Sequence, residues 1–434
     1  MPVETPTPPA KDNVTKIKDF MTNNMVTIMF VVLGLLGFIA AEMSPFLFLV
    51  DMVSRISRNA FLVLSLIIPV MAGMGMNFSI VLGAMAAQGA VIFVTHWGID
   101  GLPGILLVIA LATPVAMLLG YLTGQLFNKT KGQEMIAGLI LAFFAQGIYE
   151  LIFLQLIGPV IPMDNARLVL SRGTGIRTTI DLTDGLKYGM DWPGLSFGNP
   201  TLLRLTLPIA AIVLIAGILG YFLFRQFMQK RPLPSKLKLG VYGVLLGYVG
   251  IWSVLQIVNE TNINNIRIPL LTAFVIFLCC MFIVFFSKTK LGQDMRSVGQ
   301  DRHVAAVAGI NVNRVRIIAI MMSMVMAAIG HTIFLQNLGT FSTYGSHEQV
   351  GLYSVAALLI GGATVTKATI GQALLGVFLF HTLFIVAPPA GRQLFGDAQV
   401  GEYFRVFAAY GVIGVSLAMY AWKKRLQDKS KLGL

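Results

Sequence analysis

The stretch "KTKLGQDMRSVGQDRHVAAVAGINVNRVR", Lys288 to Arg316, stands between two strongly apolar runs and carries six basic residues. Its middle reads as a short helix. Asp301 can cap it, because a carboxylate at that position accepts from the first free backbone N–H groups. Arg302, His303, Val304, Ala305, Ala306, Val307 and Ala308 follow, and Gly309 is placed as a left-handed stop. Two turns span about 10 Å. Val304, Val307 and Ala308 share one face at i, i+3 and i+4, and the three alanines keep the rod slim. So short a helix is not stable alone. It is expected to seat in a groove of its own chain or of another; the alternative is a connector turn resting on a membrane surface.

The surroundings of this loop fix the class. The chain has 434 residues, of which 56% are hydrophobic and only 12% charged, with a mean hydropathy of +0.78. Soluble domains carry about 25% charged residues, so the expectation is an all-α integral membrane protein. Twelve apolar segments can be marked, at 25–49, 60–72, 79–95, 104–127, 135–161, 206–224, 241–258, 270–287, 317–335, 352–362, 370–387 and 403–421. Segments 60–72 and 352–362 are too short to cross a hydrocarbon core about 30 Å thick. They read as half-helices or as parts of their neighbours, giving about 10–12 transmembrane or half-membrane helices. The runs are continuous and do not alternate, which argues against a β-barrel. The adjacent Cys279 and Cys280 lie inside one such run and read as small apolar residues.

With the N-terminus inside and simple alternation, the inner segments are 1–24, 128–134, 225–240, 288–316, 363–369 and 422–434. They hold 22 of the 32 Lys and Arg, the bias expected of cytoplasmic loops. Both termini are therefore expected in the cytoplasm, and the net charge of +13 needs no nucleic acid to explain it. The resulting organisation is a polar, proline-rich tail at 1–24, a membrane domain at 25–421 and a basic tail at 422–434. The first apolar run is too long for a signal-peptide core. The longest outer loop, 162–205, holds four Asp, four Arg and the turn-rich "DWPGLSFGNP", and reads as a cap, a docking surface or a solvated connector.

Two regions break the apolar pattern with glycine and polar residues, "GMGMNFSIVLGAMAAQGA" (Gly73–Ala90) and "LLIGGATVTKATIGQALLG" (Leu358–Gly376). Irregular backbone at membrane depth is tolerated only against protein or a water-filled cavity, and such paired breaks point to a transport path. Asn77, Ser79, Gln88, Thr364 and Thr366 are the path candidates. Close helix packing is the competing reading for the glycines, as in the small-residue pairs Gly83/Ala87 and Gly243/Gly247. Glu42, Gln146, Glu150, His331, Gln336, Asn337 and His381 are further polar residues in or near spans, the histidines reading as hydrogen-bonded core residues. No chain of several acids suggests a proton relay.

No phosphate-binding loop occurs, since "GGATVTKAT" lacks the second glycine of that motif. Neither a metal-spaced cluster nor a nucleophile elbow is visible. The chain shows no energy-supplying site of its own.

At Thr289, Leu291, Gly292, Arg296, Gly299, Ala305, Ala308, Gly309 and Ile310 the loop resembles the cytoplasmic loop of permease subunits of ATP-binding-cassette importers for ribose-type sugars, nucleosides and branched-chain amino acids. In that family the loop's helix is a coupling helix docked in a cleft of the ATPase. His303 stands where relatives usually carry glutamate, and Ala306 near a frequent arginine. The loop 162–205 and "RQFMQKRPLPSKLK" (Arg225–Lys238) are longer than the family leads one to expect.

The resemblance implies a non-enzymatic transport subunit in the cell inner or plasma membrane. It implies partner ATPase subunits that hold the ATP and Mg, a second identical or paralogous permease, and an extracytoplasmic solute-binding protein or lipoprotein. No cofactor is expected in this chain, and membrane lipid surrounds it. A sugar or nucleoside is favoured as solute, then a branched-chain amino acid. Phe78, Phe143, Phe144, Phe341, Tyr344 and Tyr353 could stack on such a solute. An ion-coupled secondary transporter would also explain the broken helices, but it gives the basic loop no role; a channel subunit or an exporter permease are further readings.

Overall fold

A computed structural model describes residues 21, 24–130, 132–165, 167–170, 174–191, 204–227 and 236–431. Most of the N-terminal tail, the "DWPGLSFGNP" turn after Asp191 and the centre of the Arg225–Lys238 stretch lie outside the described residues.

The described chain is helical almost throughout, as its continuous apolar runs require. Helix α1 (Met25–Ala40) is followed by α2 (Pro45–Leu64) and α3 (Ile67–Met71), then α4 (Ile80–Trp97), α5 (Gly101–Lys129) and α6 (Glu134–Leu151, extended by a π-turn to Leu156). A hairpin of α7 (Leu207–Phe227) and α8 (Lys236–Val258) precedes α9 (Leu270–Phe286). After it come α10 (Lys290–Gln300), α11 (Arg302–Val307), α12 (Val312–Leu338), α13 (Glu348–Ile360), α14 (Ile370–Phe395) and α15 (Ala398–Lys431). Among the described residues six helical spans are long and apolar enough to cross a bilayer. These are Pro45–Met71, Ile80–Trp97, Gly101–Lys129, Glu134–Leu156, Val312–Leu338 and Ile370–Phe395. Joining α9 to α10 across a 75° bend gives a seventh, and four shorter apolar helices accompany them. The protein is an all-α, multi-pass membrane protein.

Helix α12 forms the centre, packed against α2, α4 and α5, while α14 gathers α1, α2, α13 and α15. The small residues read as packing sites behave in two ways. Gly83 lies against the Met324 carbonyl of α12, where an added Cβ would come within 2.5 Å. By contrast, Gly243 and Gly247 on α8 have nothing within 4 Å, so the packing expected of them does not occur within the described chain.

Two boundaries differ from the hydropathy reading. The first apolar segment stops at Ala40; Glu42 takes a left-handed φ of 46°, and Pro45 opens the next helix. Residues 50–59, between the apolar segments marked at 25–49 and 60–72, are helical within α2, so 60–72 belongs with its neighbour. The cause is a polar stripe: Asp51, Ser54, Arg55, Arg58 and Asn59 fall at i, i+3, i+4, i+7 and i+8, which lowers the running hydropathy without ending the helix.

At the end of the bundle where α12 finishes and α13 begins, part of the 162–205 loop folds onto the helices. Strand β1 (Thr179–Asp181) pairs antiparallel with β4 (Thr340–Ser342), and β2 (Arg204–Thr206) pairs with β3 (Arg267–Pro269). Backbone bonds from Leu182 N to Gly339 O (2.7 Å) and from Tyr188 N to Gln336 O (2.8 Å) fasten it there. The described part of this loop thus lies over the helix ends as a cap, held by β1–β4 pairing and backbone bonds to α12 and its C-terminal glycine.

Candidate functional site

The basic loop folds as its sequence dictates. The Thr289 hydroxyl caps α10 by accepting from Gly292 N at 3.2 Å. Gly292 permits the sharp bend, since a Cβ there would sit 2.1 Å from the Phe286 carbonyl. Met295 and Val298 bury the inner face of α10. Gly299 then presses against α3 and Gly73, with the Met71 carbonyl 2.2 Å from a virtual Cβ. The motif positions thus form a rigid elbow.

Helix α11 projects from this elbow as a peg. The Asp301 carboxylate accepts from His303 N at 2.8 Å and Val304 N at 3.0 Å, and these two bonds hold it below the ordinary carboxylate range. Gly309 closes the helix with a φ of 83°. Ala305 alone turns into the body of the protein, while His303, Val304, Ala306, Val307 and Ala308 are exposed. Val304 is 63% and Val307 78% accessible, an apolar tip that no residue of the described chain covers.

The peg is tied to the bundle by charges that sequence reasoning missed. Arg302, its first residue, donates to Gly73 O at 3.0 Å and pairs with Glu134 at 2.9 Å. Glu134 also pairs with the buried Arg316 in the first turns of α12, and Arg316 donates to Phe127 O at 3.1 Å. One buried carboxylate thus joins the peg, α6 and α12, with the end of α5 held through Arg316. Arg302 and Arg316 lie 168 and 182 positions from Glu134 in sequence, so no local pattern announces the triad.

The two glycine-rich breaks meet at this same end, where Gly75 abuts Val365; within the second break Gln372 donates to Gly362 O at 2.7 Å. The path candidates separate into two groups. Thr364 and Thr366 are exposed there on the loop between α13 and α14. Asn77 and Ser79 are buried in an Asx turn that starts α4, where Asn77 Oδ1 accepts from Ser79 N at 3.1 Å and Asn77 Nδ2 reaches Ser323 Oγ at 3.4 Å. Gln88 is fully buried, donating to Thr343 O (2.5 Å) and Tyr149 Oη (3.1 Å) and meeting His331 Nε2 at 3.2 Å. It fastens α4 to α6, α12 and the loop after β4.

A cavity of about 160 Å³ with mixed, mainly apolar walls lies in the opposite half, between α2, α12, α13 and α14. Asn59, Ser346, Gln349, Tyr353, Ser354 and His381 give it polar walls; Val63, Phe334, Leu338, Val350 and Ala357 supply the rest. Of the aromatics named from sequence only Tyr353 reaches it. Phe78 and Phe341 are buried elsewhere, and Phe143 and Phe144 point outward, 60% and 65% exposed. Of the polar stripe on α2, only Asn59 lines this cavity. No group of His, Cys, Asp and Glu with metal-binding geometry occurs among the described residues.

A family model for the permease component of branched-chain amino acid transport systems matches residues 203–415. A nucleoside ABC transporter permease of Lactococcus lactis is 28% identical over 211 residues, 48% of this chain and 62% of that protein. A guanosine ABC transporter permease of Bacillus subtilis is 20% identical over 303 residues, 60% of this chain and 82% of that protein. A tyrosine transport system permease of Clostridioides difficile is 25% identical over 156 residues, 36% of this chain and 52% of that protein. The chain therefore spans under two thirds of the first of these relatives, and the similarity is to permease components. No solved structure matches. The resemblance carried by Thr289–Ile310 holds, since the matched region contains that loop along with α12, α13 and α14.

Proposed function

We propose that this chain is the membrane-spanning permease of an ATP-driven importer in the plasma membrane, moving a nucleoside or sugar, with a branched-chain amino acid next in rank. The observation that carries the proposal is the peg: a capped two-turn helix, braced by a buried ion-pair triad, that offers an uncovered valine tip. A partner ATPase cleft would cover Val304 and Val307, and ATP and Mg would sit on that partner. A rigid rod joined to α12 through Glu134 and Arg316 can pass displacement into the bundle, whereas a floppy loop could not. The peg end is then the cytoplasmic face, in keeping with the basic residues there, and the 162–205 cap faces a solute-binding protein outside. A second permease chain would complete the path.

In this arrangement solute enters the Asn59–Tyr353–His381 cavity from the cap side and leaves near Thr364 and Thr366. Purification from the native membrane tests the proposal. An ATPase should accompany the full chain and be lost when 301–309 is deleted. Solute accumulation by the chain alone, driven only by a proton or sodium gradient, would overturn it in favour of a secondary transporter.

A further inference from the structure

Two wall residues of the cavity between α2, α12, α13 and α14 hold polar groups that the fold does not use. His381 on α14 is 6% exposed and Ser354 on α13 is 5% exposed, and neither side chain makes a hydrogen bond among the described residues. The His381 Nδ1 is sealed from solvent without a partner, which leaves Nε2 as the ring nitrogen that can meet an occupant of the cavity. Asn59 donates through Nδ2 to Arg55 O at 2.9 Å and keeps its Oδ1 for another partner. Buried polar groups without partners are costly, and native proteins retain few of them.

The rest of the wall is mainly apolar, with Phe334 and Tyr353 as its aromatic members, and no Asp, Glu, Lys or Arg lines it. The wall is also preformed. Tyr353 packs on Phe380 and Phe384 with ring centroids 5.6 and 5.1 Å apart, and His381 lies 5.2 Å from Phe380. An apolar cavity of about 150 Å³ holds one benzene ring, and this one measures about 160 Å³.

Three kinds of solute meet these walls differently. A plain sugar carries a hydroxyl on nearly every carbon, and most of them would lose water here without gaining a partner. A branched aliphatic side chain suits the apolar wall but leaves His381 and Ser354 unanswered. A flat aromatic ring with a polar edge satisfies both kinds of wall at once.

We propose that this cavity is a ring-reading subsite, in which His381 and Ser354 hydrogen-bond the polar edge of one planar aromatic ring of the solute while its sugar or zwitterionic part stays outside. A nucleobase presents such a ring, and so does the side chain of tyrosine. His381 is the specificity-determining residue, since it rejects a ring-sized group that has no polar edge. The inference deepens the solute-path reading and rests on it for the cavity's role in transport, but ring binding to the isolated chain is read without any ATPase.

The experiment uses the full chain in nanodiscs and saturation-transfer NMR with four probes: uridine, tyrosine, ribose and leucine. Uridine or tyrosine should show transfer, strongest at the ring protons, and ribose and leucine should not; which of the two rings binds identifies its source. His381→Phe should weaken binding about three- to ten-fold, as expected for one lost hydrogen bond, with the thermal transition level. His381→Gln returns a polar group at the Nε2 position and should recover binding. Ala357→Leu enlarges a wall residue into the cavity and should remove the transfer. Silence of both ring probes would mean a cavity that holds water alone, and would overturn the assignment. So would transfer to ribose or leucine equal to that of the rings, strongest transfer at the ribose protons of uridine, or unchanged binding in His381→Phe or Ala357→Leu. Failure of His381→Gln to recover binding would overturn it as well. Loss of ATPase association would overturn the importer reading and leave the binding result standing.

Discussion

Glu134 is the joint through which the peg is fastened, and its removal has a calculable consequence. Its carboxylate meets two guanidiniums of different burial: the Arg316 side chain is 2% exposed and that of Arg302 35% exposed. Deleting one partner of a buried ion pair costs about 3–5 kcal/mol, most of it from the charge left without compensation. A half-exposed pair is worth about 1 kcal/mol or less. Glu134→Ala should therefore destabilise the protein by about 3–5 kcal/mol through Arg316, whereas Arg302→Ala should cost only about 1 kcal/mol. Thermal unfolding in detergent, followed by tryptophan fluorescence, measures both. A nitroxide on Val304 should move faster in Glu134→Gln and in Arg302→Ala, since each frees the peg from α12. The reasoning fails if Glu134→Ala lies within about 1 kcal/mol of the parent, or if the Val304 label stays immobile in both variants.

Replacing Val304 and Val307 with Asp should abolish ATPase association while leaving membrane insertion intact. Burying a valine contributes about 1.5–3 kcal/mol and a charge in its place reverses the sign; pull-down of the ATPase reads it. His347, at the cap end, is pushed down to about 4 by burial. Its folded pKa lies below the unfolded value near 6.5, so its stabilising contribution is complete above that pH and is lost as the pH falls from about 6.5 to 4, by about 3 kcal/mol at most. His347→Gln should flatten the pH dependence of the unfolding temperature across that window. Gly376→Ala places a Cβ 1.9 Å from the Ala357 carbonyl. It should separate α13 from α14 at a cost of about 1–3 kcal/mol, visible as a lowered unfolding temperature.

The peg was legible because everything that makes it is local. Asp301 caps the N–H groups of His303 and Val304, two and three residues on, Gly309 stops the helix within one turn, and Thr289 with Gly292 shape the elbow over four residues. The spans were legible for the same reason, since hydropathy sums over neighbours along the chain. Where a polar stripe interrupted that sum, as at Asp51–Asn59, the reading lost a stretch of helix and, at Asn59, one residue of the cavity wall. Gln88 illustrates a second limit: an amide in a small-residue helix looks the same whether it lines a path or fastens four elements together.

Hydropathy and capping, which act over a turn or two, let the amino-acid order alone establish an all-α membrane protein with a slim capped rod between two spans. The pairing of Glu134 with Arg302 and Arg316, the meeting of the two glycine-rich breaks, and the cavity that brings Asn59 together with Tyr353 and His381 were decided only in three dimensions. The physical reason is that charge and burial depend on what lies within a few ångströms, and those neighbours come from residues scores of positions away.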